Sequence, residues 1–170
     1  MLKKKTRLKL VNIILIALFI LPHLIFPLLN NITLSRFSKQ LYEIELTDTK
    51  VIEKHATCGK LDGSGRGMDF FACVLVETDL TYQDLKAELS NKELKYAKPE
   101  GKLQYGGVRN ESGIIDIDIV KVDSEKLDTE HIRQGNISFE SLKNNGDYGK
   151  YYALIIYDGS YSADFDIRGY

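Results

Sequence analysis

The stretch Cys58–Glu77, CGKLDGSGRGMDFFACVLVE, divides at Gly67 into a glycine-rich half and an apolar half. In the apolar half Phe71, Cys73 and Leu75 share one face of an extended chain, and Phe70, Ala72, Val74 and Val76 share the other. Side chains alternate along a strand, so apolar residues on both faces mark a strand buried on both sides, hence central in its sheet. The glycine-rich half, DGSGRG, has three competing readings. A dinucleotide-binding turn needs a helix directly after its glycines to hold the phosphates, and here a strand follows. A Walker loop needs Gly-Lys before Ser or Thr, which this stretch lacks. An EF-hand alignment places Asp62, Ser64 and Gly67 acceptably, but it puts Arg66 at the fifth position and Cys73 where a bidentate Glu belongs. The third reading, a hairpin tip, survives, with Arg66 as the residue placed to meet an anion.

A hairpin folded between Gly65 and Arg66 would set Cys58 directly opposite Cys73. Opposed Cα atoms in a non-hydrogen-bonded pair lie about 4.5 Å apart, near the short limit for a disulfide. A Cys58–Cys73 disulfide is therefore one expectation; two reduced, buried thiols are the other, since spacing alone does not set register.

After this hairpin the periodicity changes. In TDLTYQDLKAEL, Thr81 is positioned as an N-cap with Asp84 three residues on, and Leu80 and Leu85 stand at hydrophobic-staple spacing. Leu85 and Leu89 continue one apolar stripe, which predicts an amphipathic helix of about three turns. Residues 98–113 are rich in turn formers and read as an exposed loop. Ile115, Ile117 and Ile119 then alternate with Asp116 and Asp118, the pattern of a half-buried strand. At the C-terminus Asp158-Gly159 suggests a turn between two last strands, with Ala163, Phe165 and Ile167 alternating against Asp164, Asp166 and Arg168. Val51 to Leu61 is read as the strand before the hairpin. The order of elements predicts an α+β fold: an N-terminal transmembrane helix, then a mainly antiparallel sheet with one or two helices on one face.

The N-terminus carries the strongest signal of location. Lys3, Lys4, Lys5, Arg7 and Lys9 precede a run from Leu10 to Leu29 that is apolar except for Asn12, Pro22, His23 and Pro27. Twenty helical residues at ~1.5 Å each match the ~30 Å hydrocarbon core. The flanking lysines place residues 1–9 in the cytoplasm and the rest of the chain outside. The residues after the run, PLLNNITLSRF, contain no small-residue cleavage site, so an uncleaved signal anchor is expected. His23, beside Pro22, is read as a tolerated residue near the outer interface. Residues 30–47 are read as a connector, with SRFSKQLYEIEL open between a short helix and a first strand, and residues 48–170 as the extracytoplasmic domain.

Net charge is −1 overall, but the first 29 residues hold five basic side chains and no acid. Residues 30–170 hold 18 basic and 24 acidic side chains, a net of −6, and show no basic stripe, which argues against nucleic acid as a partner. No metal-ligand spacing or nucleophile elbow is present, and no cofactor is implied. His55 and His131 are candidate bases for a cysteine nucleophile, but Cys73 sits among apolar neighbours that disfavour a thiolate. Asp116 with Asp118, and Asp164 with Asp166, form candidate carboxylate pairs; solvated sheet faces explain them more simply. Ten tyrosines, among them Tyr148, Tyr151, Tyr152, Tyr157 and Tyr161, offer a recognition surface on the C-terminal hairpin, for which Tyr157 and Tyr161 are the candidate binding residues. Sequons at Asn31, Asn110 and Asn136 are read as incidental, because Lys, Ile and Asn usage resembles a bacterium of low genomic GC.

The run Cys58–Leu85 resembles a segment of small membrane-anchored extracytoplasmic proteins of Gram-positive bacteria, a family with no established activity. Gly63, Gly65, Gly67, Met68, Asp79 and Leu80 carry the likeness, which covers about a sixth of the chain. It implies a bacterial cell-surface protein. The functional expectation is a non-enzymatic binding module at the cell envelope, meeting another envelope protein or a peptide. The alternative is an envelope hydrolase or accessory enzyme using Asp116 and Asp118 or His55.

Overall fold

A computed structural model describes residues 2–61, 67–98, 114–127, 129, 137–144, 147–163 and 165–169, with side chains from residue 9 onward. The chain opens with one continuous helix, α1 (Leu2–Tyr42), which runs through both Pro22 and Pro27 without a break. Its two halves differ. From Leu10 to Leu29 the large apolar side chains are exposed or half-exposed, whereas Asn30, Phe37, Ser38 and Leu41 are buried, Phe37 and Leu41 of them against the sheet. α1 is long and apolar enough to cross a membrane. The stretch expected as a connector is thus largely the second half of this helix, with Phe37 and Leu41 in the core.

The remaining strands and helix are β1 (Thr49–Gly59), β2 (Met68–Thr78), α2 (Tyr82–Leu89), β3 (Leu94–Lys95), β4 (Ile114–Ile115), β5 (Asp118–Lys121), β6 (Lys126–Leu127), β7 (Ile137–Ser138) and β8 (Tyr151–Tyr161). The main sheet has four strands in the order β1-β2-β8-β5, every neighbouring pair antiparallel, with β3-β4 and β6-β7 as small two-stranded additions. The fold is α+β, with the apolar helix first and an antiparallel sheet after it.

β2 is buried along almost its whole length, as its two-sided apolar pattern requires. Phe70, Ala72, Val74 and Val76 meet Phe37 and Leu41 of α1 and Leu85 and Leu89 of α2 on one face. Phe71, Cys73 and Leu75 meet Val122, Leu127, Phe139 and Leu142 on the other. The helices thus share one face of the sheet, and Val122, Leu127, Phe139 and Leu142, from the described residues between β5 and β8, cover the other. α2 is capped as its sequence predicts: the Asp84 N–H donates to Thr81 Oγ1 at 3.3 Å, and the Thr81 hydroxyl donates to Asp84 Oδ2 at 2.6 Å. It is two turns long rather than three, ending with Ser90 as its C-cap.

Two sequence expectations are overturned. The isoleucine-aspartate alternation is not one strand: Ile114–Ile115 pairs with β3, Asp118–Lys121 pairs with β8, and Asp116 and Ile117 lie between them. Asp158-Gly159 is not a hairpin turn either, because β8 runs straight through it. The pair lies at a bulge where Gly159 and Ser160 together oppose the single residue Asp69. Ser160 takes a positive φ of 67° there. A Cβ on Gly159 would crowd the Tyr157 hydroxyl and stand 2.5 Å from Asp69 Oδ1, so any larger residue there must push these side chains aside. A bulge uses the same turn-forming residues as a hairpin, and β2 had already supplied a partner that keeps β8 extended.

Candidate functional site

Four of the described buried polar side chains, Asn30, Asp69, Asp158 and Asp166, gather where the end of β1, the start of β2, the β8 bulge and the C-terminal turn come together near α1. Asp69, 3% exposed, accepts from the Leu61 N–H through Oδ2 and from the Ser160 N–H through Oδ1, each at 2.9 Å. Asp158, 5% exposed, accepts at Oδ2 from the Ala97 N–H at 2.6 Å and the Tyr161 hydroxyl at 2.5 Å. Both carboxylates are thus occupied by chain amides, which is how buried acids hold loops against a sheet.

The third acid, Asp166, is fully buried and anchors a clasp between the C-terminal turn and α1. Arg168 donates Nε–H to Asp166 Oδ1 at 2.9 Å and an Nη2 hydrogen to Oδ2 at 2.6 Å, a bidentate pair. The same guanidinium reaches Asn31 Oδ1 at 2.7 Å and the Pro27 carbonyl at 3.2 Å. Asn30, itself buried, donates to Asp166 Oδ2 at 2.9 Å. Burial pushes the Asp166 carboxyl upward, but the hydrogen bonds from Arg168 and Asn30 outweigh it and hold it at about 2. Below the clasp, His23 Nδ1–H donates to the Phe165 carbonyl at 3.1 Å, and the Phe165 ring packs on His23 and Phe26. The turn is also tied to the sheet by Lys60 N–H to Arg168 O at 2.8 Å and Gly67 N–H to Gly169 O at 2.9 Å.

A second cluster lies on the edge strand β1. His55 Nε2–H donates to Glu53 Oε1 at 2.6 Å, and Glu53 also accepts from the Ser141 hydroxyl at 2.6 Å and the Ser141 amide at 3.0 Å. Burial raises the Glu53 carboxyl, but the bonds from Ser141 and His55 prevail and hold it below its ordinary value. With the carboxylate between histidine and serine, the order is wrong for activating a hydroxyl nucleophile. The cluster ties β1 to the 3-10 turn Glu140–Leu142.

The cysteines are free and are not joined. Cys58 pairs with Phe70 and Cys73 with His55, a register displaced by three residues from that of the expected disulfide. An odd displacement moves partners to opposite faces, and the two thiols accordingly lie in separate core clusters. Burial, with Glu53 adding to it, pushes the Cys73 thiol up to about 12, and burial raises Cys58 as well. Raised in this way, the thiolate form of each is disfavoured.

The tyrosines fall differently from the expectation. Tyr161 is 1% exposed and part of the core, with its ring against Phe70, so it offers no binding surface. Tyr157 is half-buried against the second core cluster, and Tyr152 is buried. Arg66, His131 and Asp164 lie outside the described residues. Asp166 is no surface carboxylate, and the buried clasp it forms was not anticipated. The signals were Asn30 and Asn31 directly after the apolar run, and an aspartate two residues before an arginine at the chain's end.

Asp116 and Asp118 line an open groove of about 990 Å³ between α2 and β5, together with Tyr82, Lys86, Lys92 and Ile117. Its wall mixes both charge signs with apolar side chains. Among the described residues no group of three His, Cys, Asp or Glu is placed to hold a metal ion. No protein-family model, curated protein or solved structure matches the chain.

Proposed function

We propose that the chain is a single-pass membrane protein with its N-terminus in the cytoplasm, presenting the α+β domain outside a bacterial cell as a non-enzymatic binding module. The observation that carries this reading is the division of α1. Its first half leaves Leu10, Ile13, Phe19, Leu24 and Leu28 bare, while its second half is core, so one rigid helix joins a lipid-sized apolar rod to the domain. The basic cluster at residues 3–9 supports the orientation. The envelope is proposed on the resemblance read from Cys58–Leu85 in the sequence.

The partner fits the groove between α2 and β5: a peptide segment of another envelope protein, whose own charges and apolar side chains match a wall of mixed character. The competing reading, an envelope hydrolase, draws on the same place, because Asp116 and Asp118 both line it. A photo-crosslinking amino acid at Tyr82, in the full chain in intact cells, separates the two. A discrete cross-linked envelope protein, lost on Ile117→Asp, is the expected result. Absence of any adduct, together with turnover of an envelope polymer abolished by Asp116→Asn, would overturn the binding reading. Orientation is checked by external protease, which should cut the domain in intact cells; a domain protected until the cells are lysed would reverse it.

A further inference from the structure

Resting on the reading of α1 as the membrane anchor, we propose that the C-terminal turn is a lipid-contacting collar. Phe165 and Ile167 enter the outer leaflet, and the domain stands directly on the bilayer. Geometry leads to this. Only residues 10–21 are exposed on every side of the helix, ~18 Å at ~1.5 Å per residue and short of the ~30 Å hydrocarbon core. Beyond them Pro22, His23, Phe26 and Pro27 are half-covered while Leu24, Ile25, Leu28 and Leu29 stay exposed. The bilayer must therefore extend over residues 23–29, where the C-terminal turn is already clasped to the helix through His23, Phe26 and Pro27. The turn shares that depth with them.

The chemistry of the turn suits such a depth. Phe165 is 47% exposed and Ile167 74% exposed, and the Phe165 ring packs on His23 and Phe26, at the level of the helix where Leu24 and Leu28 are also bare. The charged residues between them do not face lipid unpaired. The Asp166 carboxylate is fully buried, and Arg168 spends its donors on Asp166, Asn31 and the Pro27 carbonyl. Ion pairs closed in this way are the form in which charge is tolerated near hydrocarbon. Facing water, the turn would instead present Phe165 and Ile167 bare beside the Asp166–Arg168 pair, as far as the described residues go.

The chain contains no tryptophan, so a single introduced indole reports on its own surroundings. Four full-length variants are reconstituted into vesicles of phosphatidylcholine and phosphatidylglycerol, with or without bromine on the upper acyl chain. They are Phe165→Trp, Ile167→Trp, Phe19→Trp in the anchor, and Val51→Trp at the far end of β1. The expected result is blue-shifted emission and loss of most of the signal to bromolipid for positions 165, 167 and 19, with position 51 unquenched. If position 19 is quenched while 165 and 167 are not, the collar is wrong and the anchor stands. If none is quenched, the anchor reading falls and the collar with it. Quenching at all four positions means the whole domain lies on the lipid, and the collar is likewise refuted.

Discussion

A carboxylate with no solvent contact is stable only where every acceptor site is met, and Asp166 meets that condition through Arg168 and Asn30. Its folded carboxyl is held at about 2, below the ordinary value, so the ionised pair stabilises the fold fully above about pH 4–5. That contribution, about 2 kcal/mol, is lost as pH falls through the range from about 4 to about 2. Urea melts of the detergent-solubilised chain should therefore show stability falling with acid over this range. Glu53, also held low, adds a slope of the same sign. The Asp166→Asn variant should be less stable at pH 7 by about 1–3 kcal/mol and should lose part of the acid slope. Identical profiles for variant and parent would show that the clasp contributes nothing. The cysteines allow a second test at this scale. With Cys73 pushed up to about 12 and both side chains buried, neither should react with iodoacetamide at pH 7.5 in the folded chain, and both should react in guanidinium. Mass spectrometry reads the adducts, and rapid labelling of Cys73 in the native state would contradict its placement.

At the scale of the element, α2 owes its start to Thr81, whose hydroxyl exchanges hydrogen bonds with Asp84. Thr81→Ala should cost about 1 kcal/mol in the same melts without changing the fold. A change below the error of the measurement would mean that packing of Leu85 and Leu89 alone holds the helix. This element was legible because capping is local: cap, partner and staple lie within six residues. The second half of α1 was legible only in part. SRFSKQLY carries Phe37 and Leu41 four apart, but nothing in that spacing says that Phe70 waits opposite, 6.4 Å between ring centroids. The bulge at Gly159 was misread for the same reason. Asp-Gly favours a hairpin locally, and only pairing with β2 keeps the chain extended there.

For the whole molecule, the apolar run and the helical part of the core belong to one helix, α1, with no linker between them. A fragment of residues 43–170 removes Phe37 and Leu41 and uncovers the Phe70 face of the sheet, so it should aggregate or unfold. A fragment of residues 30–170 keeps them and should be folded and soluble. Circular dichroism and size-exclusion chromatography compare the two, and a monomeric, folded 43–170 fragment would show that α1 is dispensable to the core. If α1 is the anchor proposed above, joining it to the core in one helix leaves the domain no tether with which to swing away from the bilayer.

Sequence alone determined the apolar run after a basic cluster, the central strand of two apolar faces, the capped helix and the α+β class. Each of these depends on period, composition or neighbours within a few residues. Tertiary structure decided what depends on register and on distant partners. The three-residue displacement put Cys58 and Cys73 on opposite faces of the sheet. The bulge buried Tyr161, and the clasp joined Asp166 and Arg168 to Asn30 and Asn31 across some 136 residues. Strand register and long-range ion pairs are set by the sum of contacts in the folded core, and no local stretch of chain contains that sum.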